Sequence, residues 1–145
     1  MGTGFFVHHR ITSAIKRVEF VSSRMSYIVL RGRWFTIVFL NVHAPCEEKS
    51  YDKKDSFYEE LDQVFYHFSE YHMKILLGDF NAKVGRENIF RQTIGNDTLH
   101  QDSIDNSVRI VNFATSKNLV VKSTLFLHQN IHKCTWTFLD GKTRN

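Results

Sequence analysis

Asp79 and Asn81 stand two residues apart, with Phe80 between them, just after the apolar run Ile75-Leu76-Leu77 and Gly78. An acid can move a proton, and a carboxamide can donate hydrogen bonds to a charged oxygen. Delivered together by one fixed backbone, they suit a site where charge is handled on an oxygen of the substrate. The two-residue period of a strand predicts both side chains on one side, with Phe80 pointing the other way and anchoring the loop. Spacing alone favours a plainer alternative, an Asx-rich turn held by local backbone hydrogen bonds.

The elements that must carry this pair are legible from apolar period. "MKILL" (73–77) is short, apolar and closed by Gly78, so it reads as a strand. In α/β sheets, binding sites collect at the carboxyl ends of strands, which is where Asp79 falls. Two earlier runs, "SYIVL" (26–30) and "RWFTIVFLNV" (33–42), are rich in β-branched and aromatic residues, and Arg31-Gly32-Arg33 suits the turn between them. Phe57, Leu61, Val64, Phe65 and Phe68 then recur at helical spacing, with Asp55 or Ser56 at the start and Ser56 to Glu59 fitting a capping box. A second helix is predicted over 105–118, with Val108, Val111, Phe113 and Ala114 inward. "NLVVKSTLF" (118–126) and "CTWTF" (134–138) read as further strands. Alternation of strands and helices predicts a mixed sheet covered by helices.

The chain has 145 residues with 42% hydrophobic residues and 13 Phe, enough for a core and for one domain. No apolar run approaches a membrane span. The first twenty residues lack the apolar length of a signal peptide, and Phe6 breaks the myristoylation pattern after Gly2, so the expected location is nuclear or cytoplasmic rather than secreted. Cys46 and Cys134 have no metal or redox spacing and read as reduced thiols. A net charge of +4 is mildly favourable to a polyanion. His128, His132 and Cys134 have a zinc-like spacing without a second half-site. His8-His9 reads as a solvated pair, and Lys16-Arg17, Arg31 and Arg33 as surface charge.

"LLGDFNAKVG" resembles the GDFN segment of the endonuclease/exonuclease/phosphatase superfamily, "IVFLNVHAP" resembles its strand ending in N-x-Y-A-P, and "CTWTF" its late Y-T-W/F segment. These three, with "KDSFYEEL", "HQDSIDNSVRIVNFA" and "TWTFLDGKTRN", come in family order and together resemble the endonuclease domain of RTE/BovB-type non-LTR retrotransposons. The resemblance covers essentially the whole chain. It implies an α/β fold of DNase I type, a partial four-layer α/β sandwich with mixed sheets flanked by helices, over 1–145 as a single incomplete domain.

It also implies a metal-dependent phosphodiesterase acting on DNA. Asp79 would orient or deprotonate the attacking water or assist the leaving group, and would be a metal ligand; Asn81 would bond the phosphate and orient Asp79. His43 stands where relatives carry a phosphate-contacting Tyr, and an imidazole can make that bond. Cys46 replaces a polar residue of relatives. Thr135 would serve the substrate by supporting the phosphate pocket; Trp136, by its residue type alone, can stack on a base or ribose, and as a strand residue it is more often core. The cofactor implied is Mg2+, with Mn2+ able to substitute, and the partner implied is DNA rather than a membrane. The family's metal-binding Glu, in an early Q-E strand, and its closing Asp and His have no counterpart between Met1 and Asn145, so weak or no nuclease activity is expected of the chain as given. A non-catalytic module that binds nucleic acid or protein, and a phosphatase of the same superfamily, are the other readings.

Overall fold

The computed structural model describes residues 2–46, 48–82 and 105–122, and the chain forms two compact units, 1–81 and 82–145. Within the first unit, β1 (Ile15–Ser22), β2 (Met25–Arg31), β3 (Thr36–His43) and β4 (Met73–Asp79) form one sheet in the order β1-β2-β3-β4. The first three strands are antiparallel and β4 runs parallel to β3, so the sheet is mixed. A parallel neighbour needs a crossover, which here is the helix α1 (Tyr51–His67). This is the α/β arrangement expected, a mixed sheet with helix cover, as in part of an α/β sandwich.

The strand register sorts the side chains into two faces. Met25, Tyr27 and Val29 share one face with their partners Val42, Leu40 and Val38, and with Lys74, Leu76 and Gly78 of β4. On this face α1 lays down Lys54, Phe57, Leu61 and Phe65, all buried and spaced three or four residues apart. Phe68, just past the helix, meets the Tyr27 ring edge-on with centroids 4.8 Å apart, and Lys74 Nζ lies 4.8 Å from the centre of the Phe65 ring. Each large apolar side chain buried in this layer stabilises by about 1.5–3 kcal/mol.

The opposite face carries Val18, Phe20, Ile28, Ile37, Phe39, Asn41, His43, Met73, Ile75, Leu77 and Asp79. It is far less covered. Val18, Phe20, Met73 and Leu77 are 44%, 65%, 45% and 45% exposed, and they are the exposed large apolar residues of all four described strands. The N-terminal segment crosses here, since Asn41 Nδ2 donates to the Gly4 carbonyl at 3.0 Å.

Several boundaries differ from expectation. β1 has no counterpart among the expected strands, because Lys16, Arg17 and Glu19 interrupt its apolar residues. β3 starts at Thr36, not Arg33: the Gly32 N–H donates to the Phe35 carbonyl at 3.1 Å, closing a loop that leaves Trp34 82% exposed at its tip. A Cβ on Gly32 would sit 2.5 Å from that carbonyl oxygen, so glycine is required there. α1 begins after Ser50, a turn and a half before the expected capping box, because Lys54 extends the buried stripe backward; no side-chain cap bond forms at Ser50. In the second unit, α2 (Asp105–Ser116) buries Asn106, Ser107, Ile110, Val111, Phe113 and Ala114. Val108 is 39% exposed rather than inward, because it falls off that stripe by helical phase. Of the strand expected at 118–126, residues 118–122 are described and give a turn and a single bridge at Val121. The strand expected at 134–138 lies outside the described residues. No helix among the described residues is long and apolar enough to cross a membrane.

Candidate functional site

The site is built where β3 and β4 end side by side. Parallel pairing sets Leu40 opposite Leu76, Val42 opposite Gly78 and His43 opposite Asp79. The Ala44 N–H continues the ladder by donating to the Asp79 carbonyl at 2.8 Å, and the His43 N–H donates to the Arg24 carbonyl at 2.9 Å. Gly78 makes the close approach possible. Its φ is +133°, and a Cβ there would lie 1.8 Å from the Val42 carbonyl oxygen. Glycine alone fits both the dihedral and the space.

Strand alternation does not relate Asp79 and Asn81. The strand stops at Asp79, and Asn81 turns into the left-handed region with φ +47°. Asp79 Oδ1 then accepts the Asn81 N–H at 2.9 Å, which is an Asx turn. The plainer alternative, a turn held by a local backbone hydrogen bond, is therefore what forms here. Asn81 Nδ2 donates to the Ala44 carbonyl at 2.7 Å, which ties its planar carboxamide to the end of β3. Asp79 is exposed, and among the described residues its Oδ2 has no hydrogen-bond partner. Phe80, expected to anchor the loop, is half-buried.

His43 shares the open face with Asp79 and sits at the register position beside it. It is half-buried, and no hydrogen bond or ion pair joins its imidazole to Asp79. Cys46, three residues on, is an exposed free thiol. Thr135 and Trp136 lie outside the described residues, as do His128, His132 and Cys134. His8 and His9 are exposed, with rings 4.2 Å apart.

Sequence reasoning missed Arg24. It occupies the two-residue connection between β1 and β2, where Ser22 pairs with Met25. Its Nη1 donates to the carbonyls of His43 at 3.1 Å and Ala44 at 3.4 Å. A contact across nineteen or twenty residues leaves no mark in local period.

Magnesium asks for oxygen donors in a near-octahedral set, with one or two carboxylates beside waters and phosphate. Asp79 offers a single carboxylate here, and one of its oxygens already accepts a backbone N–H. Among the described residues no three His, Cys, Asp or Glu side chains come together. The residues at this strand end do not by themselves fit a resident Mg2+ or Mn2+ ion.

Over 144 residues the chain is 28% identical to craniofacial development protein 2 of Bos taurus, and equally so to the protein of that name from Tragulus javanicus. The matches cover 99% of this chain but 24% and 25% of those proteins, so the chain spans about a quarter of the length of the curated relatives it matches. No family model matches the chain, and no solved structure does.

Proposed function

We propose that this chain is part of a DNA-directed phosphodiesterase domain of the endonuclease/exonuclease/phosphatase kind, of retrotransposon origin, whose β3 and β4 ends receive a backbone phosphate. The observation that carries this reading is the in-register placement of His43 beside Asp79 on parallel strands, with Asn81 seated on the Ala44 carbonyl. The ordered motifs that resemble retrotransposon endonucleases support it.

The chemistry follows from the donors and acceptors present. The His43 imidazole donates to a non-bridging phosphate oxygen, and the Asn81 carboxamide stays oriented by its bond to β3. Asp79 Oδ2 accepts a hydrogen bond from a water aligned on phosphorus. In hydrolysis the water oxygen forms a bond to phosphorus, the bridging P–O bond breaks, and the water proton passes by way of Asp79 to the leaving oxygen. Metal, when supplied by a fuller ligand set, would neutralise charge on the phosphoryl oxygens. With one carboxylate at the strand end, the measurable property of this chain is DNA binding, with little or no turnover.

The test pairs fluorescence anisotropy on labelled duplex DNA with nicking of supercoiled plasmid in Mg2+. Salt-sensitive binding weakened several-fold by His43→Ala is expected, with nicking no greater than in Asp79→Ala. Binding that ignores both salt and His43 would sink the reading. Robust nicking abolished by Asp79→Ala would instead show a working enzyme. Hydrolysis of a small phosphoester without DNA binding would point to a phosphatase.

A further inference from the structure

Arg24 ties the site to the opposite edge of the sheet. Its backbone carbonyl accepts the His43 N–H at 2.9 Å, while its Nη1 donates to the His43 and Ala44 carbonyls at 3.1 and 3.4 Å. The Ala44 carbonyl is also the seat of the Asn81 carboxamide, at 2.7 Å. One oxygen therefore receives a guanidinium N–H from the β1–β2 connection and an amide N–H from the turn after β4. Both Arg24 side-chain bonds come from the one nitrogen Nη1, whose two N–H groups lie in the fixed plane of the guanidinium. Among the described residues Arg24 forms no ion pair, and its Nε and Nη2 have no hydrogen-bond partner. It is half-buried against the strand end. Among the described residues, the two carbonyls it grips are what holds its guanidinium.

We propose that Arg24 is a positioning residue of this site: by clamping the His43–Ala44 peptide it fixes the carbonyl on which Asn81 is seated, and so sets the direction in which the Asn81 carboxamide faces a phosphate. The phosphate part rests on the functional reading above; the clamp does not. Without the Arg24 guanidinium the Ala44 peptide keeps its N–H bond to the Asp79 carbonyl but loses a donor that holds its own carbonyl in place, and the Asn81 side chain is released to solvent.

The whole chain, labelled with 15N, tests this through the Asn81 side-chain amide signals, a readout that general loss of stability does not mimic while core amides stay protected. In Arg24→Ala the two Asn81 amide protons are expected to move to solvent-like positions and to exchange about tenfold faster, with Val38 and Leu40 amides still protected. Affinity for duplex DNA is expected to fall by the same factor as in Asn81→Ala, and the double variant to fall no further. Unchanged Asn81 signals in a folded Arg24→Ala overturn the proposal. If that variant does not fold, Arg24→Met serves: it keeps an unbranched stem without the N–H donors, so the Asn81 signals should shift as in Arg24→Ala, and signals at wild-type positions overturn the proposal equally. If the wild-type chain binds no DNA yet the Asn81 signals respond to Arg24, the clamp stands and the phosphodiester reading falls.

Discussion

Tyr27 is buried beneath α1, and its hydroxyl donates to Glu19 Oε2 at 2.6 Å. Burial first, then this bond to the carboxylate, pushes the Tyr27 phenol up to about 12. The same bond, with smaller help from Arg17, holds the Glu19 carboxyl below its ordinary value. By linkage, Glu19 contributes stability above its unfolded pKa, and this is lost as pH falls through the lower folded value. Tyr27 keeps its proton longer when folded, so stability falls as pH rises from the unfolded value of 10.0 towards about 12. Tyr27→Phe should therefore flatten the alkaline fall in Tm between those limits and return the Glu19 titration, followed by NMR, towards an ordinary carboxylate. The Asx turn is separable in the same way. Asp79→Ala should cost on the order of 1 kcal/mol in urea denaturation by removing the acceptor for the Asn81 N–H. Asp79→Asn, whose carboxamide oxygen can still accept, should unfold within about 0.5 kcal/mol of wild type, which makes it the cleaner control in any DNA assay. At this scale the types and spacing of Asp79 and Asn81 were legible, because a carboxylate and an amide after an apolar run are visible in one line of sequence. The left-handed φ that replaces strand alternation at Asn81 was not, and neither was Arg24, whose partners are set by a hairpin and a strand end far along the chain.

At the scale of elements, the most constrained position is not a chemical group but Gly78. Its φ is +133°, and only 1.8 Å would separate a side-chain Cβ at this position from the Val42 carbonyl oxygen, which leaves no room for one. Gly78→Ala should cost about 3 kcal/mol or more, or prevent folding, as read by circular dichroism and thermal melting. The crossover helix behaves differently. Leu61 is fully buried, so Leu61→Ala should cost about 2–5 kcal/mol. Tyr66, on the same helix and 70% exposed, should tolerate alanine within about 0.5 kcal/mol. α1 was legible because Phe57, Leu61 and Phe65 repeat at a period that only a helix satisfies. Its first turn was not, because Lys54 takes the place of an apolar residue there, burying its stem with Nζ 5.7 Å from the centre of the Tyr51 ring. β1 was hidden for the converse reason: its exposed, charged alternation has no apolar run to announce it.

For the molecule as a whole, the net charge of +4 makes the proposed DNA binding a matter of modest, salt-sensitive attraction. If about three phosphates are engaged, the proposed duplex binding should weaken about fortyfold between about 50 and about 200 mM salt. The mixed sheet was legible from alternating strand and helix periods, but its lopsided cover was not, since Val18, Phe20, Met73 and Leu77 look like ordinary core residues until the register puts them on one face. The parallel pairing of β3 with β4 carries one more consequence. His43 and Asp79 are register partners from opposite ends of a crossover, and Arg24 reaches the same spot from a hairpin before it. No short segment of the chain contains even a rough copy of this arrangement, so it has no early, local precursor during folding. Loop-closure entropy must be overcome before any of its bonds can form. In a stopped-flow refolding experiment, the site should emerge in the slowest structural phase, after the hairpin and helix have formed, and weakening α1 should delay it without touching a single residue at the strand ends.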